Sequence, residues 1–390
     1  MFRRLTPERQ RLSRQRDDIL RAQIEVANIA APTGAEGARA RWVAHRMRAL
    51  GLATRHDSAG NVVGRAGVRD DRAAPVVVCA HLDTVFPTDT VLGTRHDGTR
   101  VIGPGICDNA RGLAVMLAIA AAVRRFGAAR ARAVEFVATT GEEGAGDLRG
   151  AKQYFTDTPA PFAVIALDGA GDERIVNTAL GSRRFRISYR GPGGHSWAAF
   201  GAANAVHAAG RATAALATFR RPNAASSSLT VGRIGGGLSV NSIPADAWLE
   251  VDARSTSDAT LARLEQAIRE IAASAAAEEN ERRASGTPPL AVHVERIGLR
   301  AGGVTAEDSA LVLAAVEATR LVGRQPTLAT ASTDANAALG TGAPAIAIGG
   351  GGRGGDAHST QEWFDDTDST AGVDRALTIV AAMATLARDA

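Results

Sequence analysis

Histidines and carboxylates that follow short apolar runs are the side chains in this sequence best suited to chemistry. His81 and Asp83 come directly after the run Val76–Ala80. Such a run predicts a buried strand, and residues two apart on a strand point to the same side. An imidazole can bind a metal through one nitrogen while a carboxylate accepts the proton of the other. The same pair also occurs in ordinary loops, so it does not settle a metal role.

Further candidates stand at comparable places along the chain. They are Asp108 before a predicted helix, Glu142 and Glu143 in a glycine-bracketed turn, Asp168 after a strand, His195 in the segment Gly191–Ser196, and His358 in the segment Gly354–Ser359. Each has a plain structural alternative. Asp108 could be a helix N-cap, the two glutamates could be solvated surface, and His195 could be a turn histidine.

Composition limits the classes of protein that the chain can represent. A length of 390 residues exceeds a typical single domain and predicts two. The formal charge of +4 is small for this length and does not indicate nucleic-acid binding. The arginines near the N-terminus are interrupted by Asp17, Asp18 and Glu25, which is typical of a solvated helix face.

Two cysteines, Cys79 and Cys107, are too few for a disulfide framework and predict a reducing, cytoplasmic setting. The first residues lack the apolar segment of a signal peptide. No apolar run approaches the roughly 18 residues that a membrane span needs. We therefore expect neither a membrane nor a nucleic-acid partner.

The elements between residues 62 and 168 alternate between strand and helix. The predicted strands are Val76–Ala80, Val134–Thr139 and Ala163–Leu167, and the predicted helices cover roughly Asn109–Phe126 and Asp147–Phe155. This order predicts an α/β sandwich with a largely parallel sheet. Active sites in such sheets lie beyond the carboxyl ends of the strands, where the candidates stand.

Two other segments complete the predicted organisation. Near the N-terminus, Thr6 as N-cap and Pro7 at the first helical position predict a helix that continues over Arg9–Ala30. Residues 181–297 follow the order β-α-β-β-α-β of a ferredoxin-like domain. We therefore predict that this domain is inserted into a first domain made of residues 1–180 and 298–390.

The mixture of histidine and carboxylate donors suits zinc, cobalt or manganese. One metal needs about three protein ligands. The five candidates His81, Asp108, Glu143, Asp168 and His358 exceed that number, whereas two metals sharing one carboxylate would use them all. The glycine run 349–352 lacks the Lys-Ser/Thr of a phosphate-binding loop, and it is not followed directly by a helix.

Taken in order, these motifs resemble the M20 family of dinuclear zinc metallopeptidases. The resemblance is carried by the segment His81–Val85, by Gly105 and Asp108, by Thr140–Gly144, by Asp168, by Gly193–Ser196 and by His358. It implies a three-layer α/β catalytic domain with a mixed, mostly parallel sheet. It also implies an inserted ferredoxin-like α+β lid that commonly forms a homodimer.

The resemblance further implies a role for each candidate. Asp108 would bridge two divalent metal ions, most commonly Zn²⁺. His81 and Asp168 would complete one metal site, and Glu143 and His358 the other. Asp83 would orient His81. Glu142 would act as the general base in a mechanism that uses a bridging hydroxide. A cis peptide bond after Asp108 is also implied.

In the lid, the resemblance implies that His195 reaches an active site, often that of the partner subunit, and stabilises an oxyanion. Asn241 and Arg254 match substrate-contacting positions of the family lid. A guanidinium suits a substrate carboxylate, although a surface salt bridge is the alternative for Arg254. Asp334 lies in a segment similar to a family substrate loop.

Every member of the family that the sequence resembles hydrolyses an amide or a related bond, so we expect an enzyme of that class. Asp rather than Glu at position 168, and the segment Gly354–Phe364, resemble the small-peptide peptidases. An N-acyl-amino-acid amidohydrolase or a carboxypeptidase is the alternative. A non-catalytic binding relative would be expected to lack a ligand or the base. A serine hydrolase is disfavoured because the chain has no Gly-x-Ser-x-Gly elbow.

Overall fold

Strands and helices alternate along much of the chain. The computed structural model describes residues 2–67, 73–126, 132–222 and 224–386. The helices are α1 (Phe2–Arg14), α2 (Arg16–Ala27), α3 (Gly37–Ala49), α4 (Ala110–Phe126), α5 (Arg149–Asp157), α6 (Ala205–Thr218), α7 (Asp258–Glu281), α8 (Ala310–Leu321), α9 (Ala335–Gly340) and α10 (Thr370–Thr385).

The strands include several that the sequence did not reveal. They are β1 (Ala53–His56), β2 (Val62–Ala66), β3 (Val76–His81), β4 (Arg95–Asp97), β5 (Arg100–Ile102), β6 (Val134–Thr139), β7 (Ala163–Leu167), β8 (Arg174–Ala179), β9 (Gly181–Arg190), β10 (Gly194–His195), β11 (Ser227–Gly236), β12 (Ser242–Ile243), β13 (Asp246–Ser255), β14 (Ala291–Arg300), β15 (Gly303–Val304), β16 (Thr327–Ala331), β17 (Ala345–Ile348), β18 (Arg353–Gly355) and β19 (Trp363–Asp365).

The chain forms two units. The main unit contains the residues up to Ala179 and from Gly303 onward, and the inserted unit contains Leu180–Gly302. The inserted unit extends beyond the predicted boundary at residue 297 because β14 continues to Arg300. Its ends leave the main unit side by side, since Ala179 at the end of β8 pairs with Gly303 at the start of β15.

A nine-stranded mixed sheet forms the centre of the main unit. Its order is β1-β2-β6-β3-β7-β17-β8-β15, and β16 pairs with β8. The central strands β6, β3, β7 and β17 are parallel to one another. Their residues are buried because helices cover both faces of the sheet. A second sheet, β18-β19-β5-β4, is antiparallel and was not predicted from the sequence.

The inserted unit has the predicted ferredoxin-like order. Its four-stranded antiparallel sheet runs β11-β13-β9-β14, and helices α6 and α7 pack against one face. Alternate residues of β9, such as Phe185, Ile187 and Tyr189, are buried in its core. This alternation is typical of a sheet covered on one face only.

The predicted start and continuity of the N-terminal helix were wrong, whereas its helical character is confirmed. The first helix begins at Phe2 and contains Pro7, and the long predicted helix is divided at Gln15 into α1 and α2. Leu5 and Leu12, seven residues apart, are both fully buried. Burying Leu5 on the same helical face as Leu12 favours extending the helix before Pro7, so tertiary packing overrides the local start signal. Among the described residues, no helix is both long and apolar enough to cross a membrane.

Candidate metal centre

The carboxyl ends of three neighbouring strands bring the candidate residues together. His81 is the last residue of β3, which lies between β6 and β7. Asp168 follows β7 directly, and its N–H donates to the carbonyl of Ile348 at the end of β17 (3.0 Å). After β6 the chain turns at Gly141, whose φ of +64° suits glycine, and then presents Glu142 and Glu143.

The candidate ligand atoms form groups within 4.8 Å of one another. One group is His81, Asp108 and Asp168, and another is Asp108, Glu143 and His358. The two groups share Asp108. A third grouping contains His81, Glu142 and Glu143. The sequence-predicted ligands are therefore all brought to one place in the main unit.

These atoms lie close enough to one another to surround a common metal ion. Nε2 of His81 lies 2.9 Å from Oδ1 of Asp108. Nε2 of His358 lies 3.2 Å from Oδ2 of Asp108 and 3.1 Å from Oε1 of Glu143. Tetrahedral ligands at about 2.0–2.1 Å from zinc would be about 3.3 Å from each other.

Asp108 provides a direct test of whether these residues fit a metal. Its Oδ1 is buried and forms no hydrogen bond with any described residue, although His81 Nε2 is near it. Buried polar atoms in proteins are usually satisfied. Asp108 Oδ1 and His81 Nε2 are close together but not aligned for a hydrogen bond, so both can face a common cation. These potential ligands therefore fit a divalent metal.

The ionisation of the carboxyl groups supports the same interpretation. Burial raises the pKa of Asp168 to about 8, and the nearby charge of Asp108 adds to this effect. Burial likewise raises the pKa of Glu143 to about 7. The hydrogen bond to Asp108 raises the pKa of His358 to about 9. These groups hold protons in the absence of a cation, and a bound metal would displace them.

Asp83 lies against His81, as predicted, and also holds a second group. Nδ1 of His81 is 3.0 Å from the backbone oxygen of Asp83 and 3.6 Å from its carboxylate. The carboxylate instead accepts the N–H groups of Glu142 and Glu143, each at 2.9 Å, and the hydroxyl of Thr33. Burial opposes its charge, but contacts with His81 and these N–H groups lower the pKa of Asp83 to about 2. Asp83 thus fixes the glutamate turn as well as approaching His81.

Two buried side chains that the sequence did not identify hold the loop of Asp108. The peptide bond between Asp108 and Asn109 is cis, as the resemblance implied. The side chain of Asn109 donates to the carbonyl of Leu167 and accepts from Gly112 and Gly169. Glu362 accepts N–H groups from the other side of the loop. Neither Asn109 nor Glu362 belongs to an apolar repeat that would predict its position. The spacing of Glu362, four residues after His358, was the only signal for it in the sequence.

Asp334 is buried next to the end of β6. Only 3% of the residue is exposed, and its carboxylate accepts the hydroxyl of Thr139 at the end of β6. Burial and the charge of Glu142 raise the pKa of Asp334 to about 7. His81 and Glu142 are buried to a similar degree, so the contact of Asp334 with substrate stays a prediction.

The remaining candidates belong to the inserted unit. His195 is exposed and lies on β10, which pairs with β12 just after Asn241. Its Nδ1 accepts the N–H of Trp197 (3.2 Å) and lies 3.5 Å from that of Ala198. The ring proton of the neutral imidazole is therefore on Nε2.

Asn241 and Arg254 both have partners inside the inserted unit. Oδ1 of Asn241 accepts the hydroxyl of Ser239 at 2.6 Å. Arg254 pairs with Asp252 at 2.6 Å, which is the salt bridge considered as its alternative. Neither contact tests the predicted contact with substrate.

A cleft of about 920 Å³ opens beside the candidate metal ligands in the main unit. Asp108 and Asp168 line one part of it, and glycines at 169, 171, 352, 354 and 355 contribute no side chains to its walls. The walls also carry both signs of charge, including Arg174, Glu173 and Arg353. The cleft therefore has room and polarity for a small charged molecule next to the ligands.

Comparison with known proteins agrees with this geometry. The family model described as peptidase family M20/M25/M40 matches residues 77–382. A mixed α/β sheet with carboxylate and histidine donors at its strand ends defines a metal-dependent hydrolase of this type. The chain belongs to peptidase family M20/M25/M40 and is an enzyme. No curated protein matches the sequence significantly.

Solved structures show the same fold across the chain. A tripeptidase from Staphylococcus aureus subsp. aureus mu50 has a TM-score of 0.77 at 20% identity, covering 95% of this chain and 99% of its own. Aminopeptidase PepT from Bacillus cereus ATCC 10987 has a TM-score of 0.75 at 20% identity, with the same coverage. An amidase of the hydantoinase/carbamoylase family from Burkholderia vietnamiensis has a TM-score of 0.70 at 21% identity, covering 97% and 98%.

Proposed function

We propose that this hydrolase cleaves an amide bond of a small peptide, as a dipeptidase, tripeptidase or aminopeptidase, with two divalent metal ions. The observation that carries the proposal is the pair of ligand groups that share Asp108. His81 and Asp168 would complete one site, and Glu143 and His358 the other. Zinc is the first candidate, with cobalt or manganese as alternatives.

Divalent ions held by these residues would supply Lewis-acid chemistry, which would ease the deprotonation of a water near neutral pH and polarise the attacked carbonyl group. Glu142 stands beside Glu143 in the turn that Asp83 fixes, and it would accept the proton of the attacking water. It would then deliver that proton to the departing amine. A carboxylate fixed by its own backbone is well suited to such a shuttle.

His195 would stabilise the negative charge that develops on the carbonyl oxygen. Its Nδ1 is occupied by backbone N–H donors, so Nε2–H is the group that would donate. We propose that it acts in an active site of a homodimer formed through the inserted unit. Asn241 and Arg254 are proposed to contact substrate from the same unit.

Small peptides suit the cleft because both of their ends are charged. Its walls carry acidic and basic side chains, and its glycines leave space for an extended chain. An N-acyl amino acid has a free carboxylate but no free amine. It remains the second candidate because an amidase has the same fold over nearly the whole chain.

A cleavage screen of the metal-loaded enzyme tests the proposal. Dipeptides and tripeptides would be compared with N-acetylated and N-succinylated amino acids of the same side chain. We expect higher kcat/KM for substrates with a free amine. Higher values for the acylated compounds would replace the peptidase proposal with the amidohydrolase one. We also propose a cytoplasmic location, which agrees with two free, buried cysteines.

A further inference from the structure

Glu362 joins the loop that carries Asp108 to the segment that carries His358. The residue is fully buried and stands immediately before β19. Its Oε1 accepts the N–H groups of Cys107 and Asp108, each at 2.7 Å, and its Oε2 accepts that of Gly105 at 3.3 Å. Its own backbone oxygen accepts the N–H of Gly103 at 2.8 Å.

The partners of this carboxylate are unusual for a buried acid. Within the described parts of the chain, no basic side chain forms an ion pair with Glu362. The hydrogen bonds that it accepts come from backbone N–H groups of the segment that ends in Asp108. Buried carboxylates are normally paired or hydrogen-bonded, so the loop and the acid satisfy each other. A side chain used in this way fixes the main chain of the loop.

We propose that Glu362 is a positioning residue for the two-metal site. The inference rests on the proposed function, in which Asp108 is shared by both ions and His358 binds one of them. Glu362 holds the backbone of Asp108 and lies four residues after His358. It therefore sets the position of the shared carboxylate relative to the histidine. A small displacement of Asp108 would alter both metal positions at once.

Reach and charge can be separated by two conservative substitutions. Glu362→Gln keeps the length of the side chain and an oxygen for the N–H groups of Cys107 and Asp108, but it removes the charge. Glu362→Asp keeps the charge but is shorter by one methylene, so it cannot hold the loop in the same place. If Glu362 acts by positioning, metal affinity should fall more in Glu362→Asp than in Glu362→Gln. If its role is purely electrostatic, metal affinity should fall more in Glu362→Gln.

The experiment measures Co²⁺ affinity of the full-length protein by chelator competition, together with the visible absorption spectrum of bound Co²⁺. We expect Glu362→Asp to weaken binding by about 10- to 100-fold, the range for groups that support metal ligands, and to change the spectrum. Glu362→Gln should bind Co²⁺ with an affinity within a factor of about ten of that of the wild type, at the low end of that range. Its Co²⁺ spectrum should be similar to that of the wild type. Metal coordination geometry determines such spectra.

Glu279 provides the matched control. It is also buried, accepts the N–H of Asn204 at 2.9 Å and pairs with Arg211, all within the inserted unit. Glu279→Asp and Glu279→Gln should lower thermal stability without changing Co²⁺ affinity or the spectrum. A general loss of stability would affect metal binding equally in both pairs of variants.

Each outcome of the comparison has a defined meaning. Unchanged affinity in Glu362→Asp, or a larger loss in Glu362→Gln, would overturn the positioning role while leaving the two-metal proposal intact. If Glu362→Asp does not fold, the Gln variant decides, because an altered spectrum there contradicts positioning by reach. Wild-type protein that binds no Co²⁺ would instead reject the proposed function itself.

Discussion

The strand ends of the main unit and the sheet of the inserted unit differ in how they arrange charged side chains. The main unit buries carboxyl groups close together, and burial raises the pKa values of Glu143, Asp168 and Asp334 to between about 7 and about 8. On the sheet of the inserted unit, basic and acidic side chains pair across strands, as Arg186 does with Glu250. The carboxyl cluster at the strand ends of the main unit accumulates like charge, whereas the sheet of the inserted unit pairs its acidic side chains with arginines.

This difference indicates where the chemistry lies. Partly exposed ion pairs such as those of β9 and β13 contribute only about 0–1 kcal/mol each and need no further partner. Buried carboxylates without a cation destabilise a fold unless something compensates them. Groups with strongly perturbed pKa values cluster at functional sites. We therefore expect the carboxyl cluster of the main unit to bind metal.

Removal of metal should have the largest effect on activity, because it leaves the carboxyl cluster of the main unit without a cation. Dialysis against a chelator should abolish amide hydrolysis, because the ligands alone supply no nucleophile at neutral pH. Added Zn²⁺, Co²⁺ or Mn²⁺ should restore it, as measured by turnover of the best substrate from the screen. Chelator already saturated with zinc is the control. Full activity in protein shown to be free of metal would reject the site assignment.

Replacing the proposed base should remove turnover without removing metal. Glu142→Gln should keep about two ions per chain and lower kcat by at least about 10²–10⁴-fold, the range for loss of a general base. Metal analysis and steady-state kinetics measure the two effects. Glu250→Gln changes the same group within an ion pair of the inserted unit and should leave kcat unaltered. Substantial activity in Glu142→Gln would show that another group takes the proton.

Replacing His195 tests whether the inserted unit also contributes to catalysis. His195→Ala should preserve metal content and lower kcat by about 10²-fold or more, as loss of an oxyanion donor does. Mixed dimers of His195→Ala and Glu142→Gln chains would then locate its action. Activity should return if His195 serves the partner subunit, because one site per mixed dimer is then complete. An unaltered kcat in His195→Ala would confine catalysis to the main unit.

The last expected effect is on the stability of metal-free protein. The folded pKa values of Glu143, Asp168, Asp334 and Glu362 lie above the value of about 4 for unfolded carboxyl groups, and that of His358 lies above about 6.5. The native state therefore binds more protons than the unfolded state, and stability falls as pH rises from about 5 to about 9. The urea midpoint should be higher at pH 5.5 than at pH 8.5.

Saturating Zn²⁺ should flatten or reverse this slope, because the metal requires deprotonated ligands. The comparison uses the same buffers with and without metal. A metal-free protein that becomes more stable with rising pH would mean that the carboxyl cluster is compensated by groups within the chain.

His81 and Asp168 could be singled out in the sequence because each stands where an apolar strand ends. Asp108 stands before a helix and His358 lies in a glycine-rich segment, so their proposed roles rested on the family resemblance. The strands Val134–Thr139 and Ala163–Leu167 were predicted to the residue. Their parallel pairing through β3 then brings the end of each strand to one edge. Short strands such as β18 and β19 have too few residues to produce a recognisable alternation, so the second sheet was not predicted.

The contacts that hold the ligands in place could not be predicted in the same way. Asn109 and Glu362 act through backbone N–H and carbonyl groups, whose positions depend on the folded loop and not on any sequence period. Asp83 shows the same limit, since its pairing with His81 was expected but its hydrogen bonds to the glutamate turn were not. Side chains that bind main chain leave little pattern in a single sequence.

The pairing of Ala179 with Gly303 has a consequence for how this architecture can change over time. Because the two ends of the inserted unit emerge from adjacent, hydrogen-bonded strands, a tight hairpin could join them without opening the main sheet. The ferredoxin-like segment can therefore be lengthened, exchanged or lost by recombination as a cassette. Substrate preference could diversify through such exchange, while the strand ends that gather the histidines and carboxylates are inherited unchanged.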